Sequence, residues 1–86
     1  MLKEIKQGYE IIASEAYRTD NTGRKERIVL GRMETCDGMM FVTWESIVHP
    51  YSVGTHRFDY FWGHYFDDEA KAYADYHRRL LEKYES

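Results

Sequence analysis

Residues 60–68 read YFWGHYFDD, with five aromatic rings in the first seven positions, one glycine at 63 and His64 set among the rings. Two readings compete: a histidine framed for chemistry, or a strand that runs into a helix. From His56 to Phe66 the even positions (His56, Phe58, Tyr60, Trp62, His64, Phe66) are more apolar than the odd ones, as in a strand with one inward face. Asp67 or Asp68 then caps a helix whose first turn, with Glu69, is acidic, as the helix dipole favours. The strand reading explains more of the stretch.

Beyond that cap, Ala70, Tyr73, Ala74, His77, Leu80, Leu81 and Tyr84 recur at helical spacing, while Lys71, Asp75, Arg78, Glu82 and Lys83 take other faces. This predicts a helix of roughly 17 residues with that stripe on a sheet. Working back along the chain, GYEIIASEAYR (8–18) is a strand and TDNTG (19–23) a turn. ERIVLGRME (26–34) is the next strand, and Asp37-Gly38 is a hairpin tip. With those two residues at the tip, Val29, Gly31 and Met33 face Ser46, Trp44 and Val42, so that Trp44 covers Gly31. That face is the expected core. The opposite face pairs Ile28 with Ile47, Leu30 with Glu45, Arg32 with Thr43 and Glu34 with Phe41, a mixed set. HPYSVG (49–54) ends the third strand. The expected architecture is α+β: one domain over residues 1–86, a three- to four-stranded antiparallel meander with one C-terminal helix packed on one face.

Composition narrows the class. A chain with 43% hydrophobic and 31% charged residues folds, and its net charge of −3 suits neither a basic nucleic-acid binder nor a strongly acidic mimic of one. The longest apolar run, Met39-Met40-Phe41-Val42, falls far short of the ~18 residues of a membrane span. MLKEIKQGYE (1–10) carries charges where a signal peptide needs apolar residues, and the single Cys36 has no partner in the chain for a disulfide. A cytoplasmic setting is expected.

Candidate chemistry is sparse. His64 has Asp67 and Asp68 nearby but no Ser or Cys motif to activate. His49, His56, His64 and His77 lack metal-ligand spacing, and Cys36 sits beside Asp37, whose charge weakens a thiolate. No catalytic residue, metal ligand or cofactor is expected. The basic cluster GRKER (23–27) places Arg24, Lys25 and Arg27 at a hairpin tip, where they could track phosphates while rings stack on bases.

The surplus of rings, 16% of the chain, is the main clue to function, since large amphipathic rings concentrate in small cores and at interfaces. Trp44, Trp62, Tyr73 and Tyr84 are expected to hold the fold. The second sheet face, with Ile11, Tyr17, Ile28, Leu30, Phe41, Ile47 and Phe61, is too apolar for full exposure. Either MLKEI (1–5) covers it or it meets a partner. Tyr17, Phe41, Phe61 and Tyr76 are the expected contacts.

FVTWE (41–45), FWGHYF (61–66) and the pattern A-x-x-DYHRR (72–79) resemble small proteins of bacteria and their mobile elements. The resemblance implies strand, strand and helix over the C-terminal half, and transfers no activity and no site residue. Proteins of that type include inhibitors of host defence complexes. The sequence therefore predicts a non-enzymatic protein-interaction module, binding itself as a homodimer or another protein. A nucleic-acid or nucleotide binder using Arg24–Arg27 is the alternative, and a small His64-centred enzyme or metal protein the third.

Overall fold

The computed structural model describes residues 5–50 and 56–85. Five strands form one antiparallel meander in chain order: β1 (Ile5–Lys6), β2 (Tyr9–Thr19), β3 (Lys25–Thr35), β4 (Gly38–Pro50) and β5 (His56–Phe66). A single helix, α1 (Glu69–Glu85), follows. The α+β class, the meander and the C-terminal helix are as expected; the sheet has five strands rather than three or four. The extra strand is β1, joined to β2 by a two-residue turn at Gln7 and Gly8, both at positive φ, the geometry that suits hairpin twist. Of the expected cover by residues 1–5, Ile5 is 61% exposed on β1 and the rest lies outside the described residues; of the expected break at 49–54, His49 and Pro50 still pair within β4 and the rest lies outside them.

Local chemistry sets the other turns. Asp20 Oδ1 accepts the backbone N–H groups of Thr22 (2.9 Å) and Arg24 (3.1 Å), closing the β2–β3 turn. At the β3–β4 tip the central residues are Cys36 and Asp37, with Thr35 opposite Gly38. The tip was expected one residue later, so the register differs by two: Val29 faces Trp44 and Gly31 faces Val42. A two-residue slip keeps every side chain on its face.

The sheet curls. Tyr9 on β2 and Tyr65 on β5 are three strand spacings apart, about 14 Å in a flat sheet, yet their ring centroids lie 6.2 Å apart. This curl lets the concave face bury its own cluster of Tyr9, Val29, Val42 and Trp44, flanked by Ile11, Met33, Met40 and Tyr60. Helix α1 packs on the convex face against Ile28, Leu30 and Phe41 through Ala72, Tyr76 and Leu80.

Two sequence-based expectations are thereby corrected. The mixed face carries the helix, because the other face closes on itself. The buried residues of α1 are Ala72, Asp75, Tyr76, Arg79 and Leu80, so of the expected stripe only Leu80 and, in part, Tyr73 face the core, while Ala70, Ala74, His77, Leu81 and Tyr84 are exposed. Asp68 supplies the cap, its Oδ1 accepting the Lys71 N–H at 3.2 Å.

Trp44 lies between two glycines. A Cβ on Gly31 would stand 3.5 Å from its ring, and one on Gly63 would stand 2.8 Å from Nε1 and 3.1 Å from Cδ1. Because Trp44 is buried, its ring has little room to yield. Gly63→Ala is therefore expected to cost about 1–3 kcal/mol in urea unfolding, without changing the far-ultraviolet circular dichroism.

Candidate functional site

The site begins at an irregularity in β5. Thr43 pairs with His64 and Glu45 with Phe61, so Trp44 alone opposes both Trp62 and Gly63: a β-bulge. Trp62 sits at φ 59°, a left-handed conformation that costs an L-residue roughly 1–2 kcal/mol. In the commonest bulge of this kind a glycine takes that position; here the glycine comes one residue later, where Trp44 presses on the backbone. The bulge breaks the expected even–odd alternation. Tyr60 lies on the concave side, its ring 5.4 Å from that of Trp44, whereas His64 and Phe66 lie on the helix side. Trp62, expected to hold the fold, is 72% exposed.

Helix α1 fixes this corner through Asp75. Its Oδ2 accepts Thr43 Oγ1–H at 2.6 Å and His64 Nδ1–H at 2.9 Å and forms an ion pair with Arg79 Nε at 3.3 Å, and Oδ1 accepts the Arg78 guanidinium. Burial alone would raise the Asp75 pKa. The hydrogen bonds from Thr43, His64 and Arg78 outweigh it and hold the carboxyl below the usual range. Arg79 is buried too; burial pushes its guanidinium pKa down while Asp75 pulls it back. Arg79 Nη2 donates to the carbonyl of Trp62, clamping the strained residue to the helix. Arg79 Nη1 is buried and meets no acceptor among the described residues. Arg78, also bound to Glu82 at 2.8 Å, has its pKa raised by the hydrogen bond to Asp75.

Between β5 and α1 lies an open cleft of about 420 Å³, lined by Glu45, Trp62, His64, Arg78, Arg79, Glu82 and Lys83. Lys83 bridges to Glu45 at 2.9 Å. Two carboxylates and three cations line it, with Asp75 directly behind, so the charges nearly balance.

The expected contacts fall elsewhere. Phe41 and Tyr76 are 4% and 6% exposed, in the core between helix and sheet, and burial pushes the Tyr76 phenol up to about 12. Neither is a surface contact in the monomer, because Phe41 lies on the sheet face that the helix covers and Tyr76 on the side of the helix that covers it. Tyr17 is half-buried against the same core, with the Lys83 ammonium 5.5 Å from its ring centroid. Phe61 is exposed on β5. The basic hairpin does not form a patch. Arg27 is buried on the concave side, donating to Ser46 Oγ at 3.1 Å beneath the Phe58 ring. Arg24 pairs with Glu26 at 3.2 Å, and only Lys25 remains open to solvent among the three. His49 pairs with Asp59 at 2.9 Å, and His64 finds Asp75 rather than Asp67 or Asp68. Among the described residues no group of three or more His, Cys, Asp or Glu is placed to hold a metal.

Trp62, Thr43, Asp75, Arg78 and Arg79 were not singled out from the sequence as a site. The available signal was the i, i+3, i+4 spacing of Asp75, Arg78 and Arg79 together with a lone glycine beside Trp62. No protein-family model, curated protein or solved structure matches the chain, and geometry alone carries the functional reading.

Removing the carboxylate strands a buried guanidinium, so Asp75→Asn is expected to cost on the order of 3 kcal/mol at neutral pH. The folded-state pKa of Asp75 lies below its unfolded value, so its stabilisation is present above the unfolded pKa and is lost as pH falls through the folded one. The stability gap between wild type and Asp75→Asn should accordingly narrow as pH drops below about 4, measured by urea unfolding at stepped pH.

Proposed function

We propose that the chain is a non-catalytic protein-binding module whose contact surface is the outward corner of β5, with Trp62 as its anchor, Phe61 beside it and Arg78 at the rim. The observation that carries this reading is the presentation of Trp62. A large ring stands in solvent on a strained backbone, held there by a buried arginine. Strain of this sort persists only where the surroundings over-determine it, and it clusters at functional positions. Trp and Arg are the residues most enriched at the energetic centres of interfaces.

The surroundings support a protein partner. Phe58, Phe61, Trp62 and Tyr65 are all exposed along β5, an outermost strand of the sheet. Such an edge accepts an extended segment from another protein through main-chain hydrogen bonds, with side chains supplying specificity. The near-balanced cleft and the ion-paired hairpin favour a mixed, neutral partner over a polyanion. A second reading draws on one observation: Asp75 orients the His64 ring as a carboxylate orients a general base. That reading requires an activity that is lost in His64→Gln.

Trp62→Gly relieves the positive φ without removing core area, and is expected to raise stability by about 1 kcal/mol. Trp62→Ala is expected to keep the fold while lowering affinity for a captured partner by roughly 30-fold or more. A photo-cross-linking side chain at position 61 should capture the same partner, and one at Asp37, on the opposite hairpin, should not. If Trp62→Ala unfolds the chain, or binds every partner as wild type does, the ring serves another purpose.

A further inference from the structure

Helix α1 has a third face. With the sheet side taken by Ala72, Tyr76, Arg79 and Leu80, and the cleft side by Asp75 and Glu82, there remain Ala70, Ala74, His77, Leu81 and Tyr84. All five are exposed, Leu81 and Tyr84 each at 57%, with the Tyr84 ring open along the seam while its hydroxyl donates back to Glu15 on β2. Their spacing is four, three, four and three residues. That is the 3.5-residue repeat by which one helix packs along another, rather than the spacing of scattered surface residues.

The residues also say which helix fits. In an antiparallel pair with a two-fold axis at His77, Ala70 of one copy meets Tyr84 of the other, His77 meets itself, and Ala74 lies one residue's rise from Leu81, its nearest neighbour along the seam. Each large side chain then lies against a small one, as close packing requires. A parallel pair would set alanine on alanine and leucine on leucine, leaving a gap at one end and crowding at the other. The antiparallel register also places Lys71 beside Glu85 of the second copy at both ends of the seam, opposite charges in the flanking positions that choose partner and orientation. Arg78 falls near the axis, where two like charges would meet, but each Arg78 is drawn toward its own cleft by Asp75 and Glu82. Because the helix is already formed and docked, pairing does not bear the cost of nucleating it.

We infer that α1 is also a self-recognition surface, pairing antiparallel with α1 of a second copy through Ala70, Ala74, His77, Leu81 and Tyr84. This surface adjoins the Trp62 corner only at Arg78 and does not depend on the reading given to that corner. The pairing is isologous, closing at two subunits rather than propagating.

Light scattering on the full chain across concentration, at low and high salt, tests it. A dimer is expected that persists in salt, is weakened roughly 30-fold or more by Leu81→Glu, and is untouched by Trp62→Ala. The Leu81 side chain is exposed, so the variant should retain its circular dichroism. Lys71→Glu and Glu85→Lys should each weaken the dimer, and the two together should restore it. In a Cys36→Ser background, His77→Cys should form a disulfide between copies under mild oxidation and Ala70→Cys should not, whereas a parallel pair would cross-link both. A chain that stays monomeric at all concentrations overturns the inference. So does a dimer lost in Trp62→Ala but kept in Leu81→Glu, or a charge swap without rescue.

Discussion

One buried carboxylate decides how this helix meets this sheet. Asp75 reaches Thr43 on β4, His64 on β5 and Arg79 on its own helix, and those three groups lie together only when α1 turns this side toward the strands. Area alone would not choose that rotation. Ala72, Tyr76 and Leu80 are buried, but Leu81 and Tyr84 on the apolar stripe offer comparable surface, and a fully buried large side chain contributes about 1.5–3 kcal/mol wherever it lies. The alternative rotation is opposed by what it would strand. Turned outward, Asp75 and Arg79 would leave the Thr43 hydroxyl, buried on β4, without its acceptor. A buried ion pair adds little net stability over an apolar substitute, yet it penalises misplacement heavily. Here it works as a register pin.

The bulge in β5 depends on the same pin. Trp44 fills the curled interior and presses on the backbone at Gly63, which removes one residue from regular pairing and turns Trp62 into the left-handed region. Arg79, held by Asp75, binds the carbonyl that this distortion turns toward the helix. The concave core, the bulge, the clamp and the exposed indole therefore form one chain of contacts running from one face of the sheet to the other.

Much of this was legible and some was not, for reasons that separate by range. Turn chemistry is local, so Asp20, Gly23 and Gly38 marked both long hairpins, and the pair Asp67 and Asp68 marked the helix start. Alternation marked β3 and β4 and survived a register error of two because faces repeat every second residue. The helix face was misread because an apolar count assigns Asp75 and Arg79 to solvent, and only partners distant in sequence reveal that they are paired and buried. The same error placed Phe41 and Tyr76 on the surface and Tyr84 in the core, whereas Trp62 was misplaced by the bulge that breaks the alternation of β5. The curl, which lets the concave face seal itself around Trp44 and frees the other for the helix, depends on rings meeting across three strands. No window of adjacent residues contains that information.

The rotation has a further consequence for assembly. By turning its charged residues toward the sheet and cleft, α1 leaves its apolar stripe outward, on the flank away from Asp75 and Glu82. The two proposed surfaces thus share a helix without competing for the same side chains. Arg78 marks the boundary between them; its bonds to Asp75 and Glu82 draw its charge toward the cleft and lower the repulsion that two copies would meet at the axis. Paired copies would carry two Trp62 corners on one rigid body. Such an arrangement favours partners that present two sites, because the second contact forms at an effective concentration set by the dimer rather than by the solution. A buried aspartate that fixes helix rotation would in this way also fix the valence with which the aromatic corners are displayed.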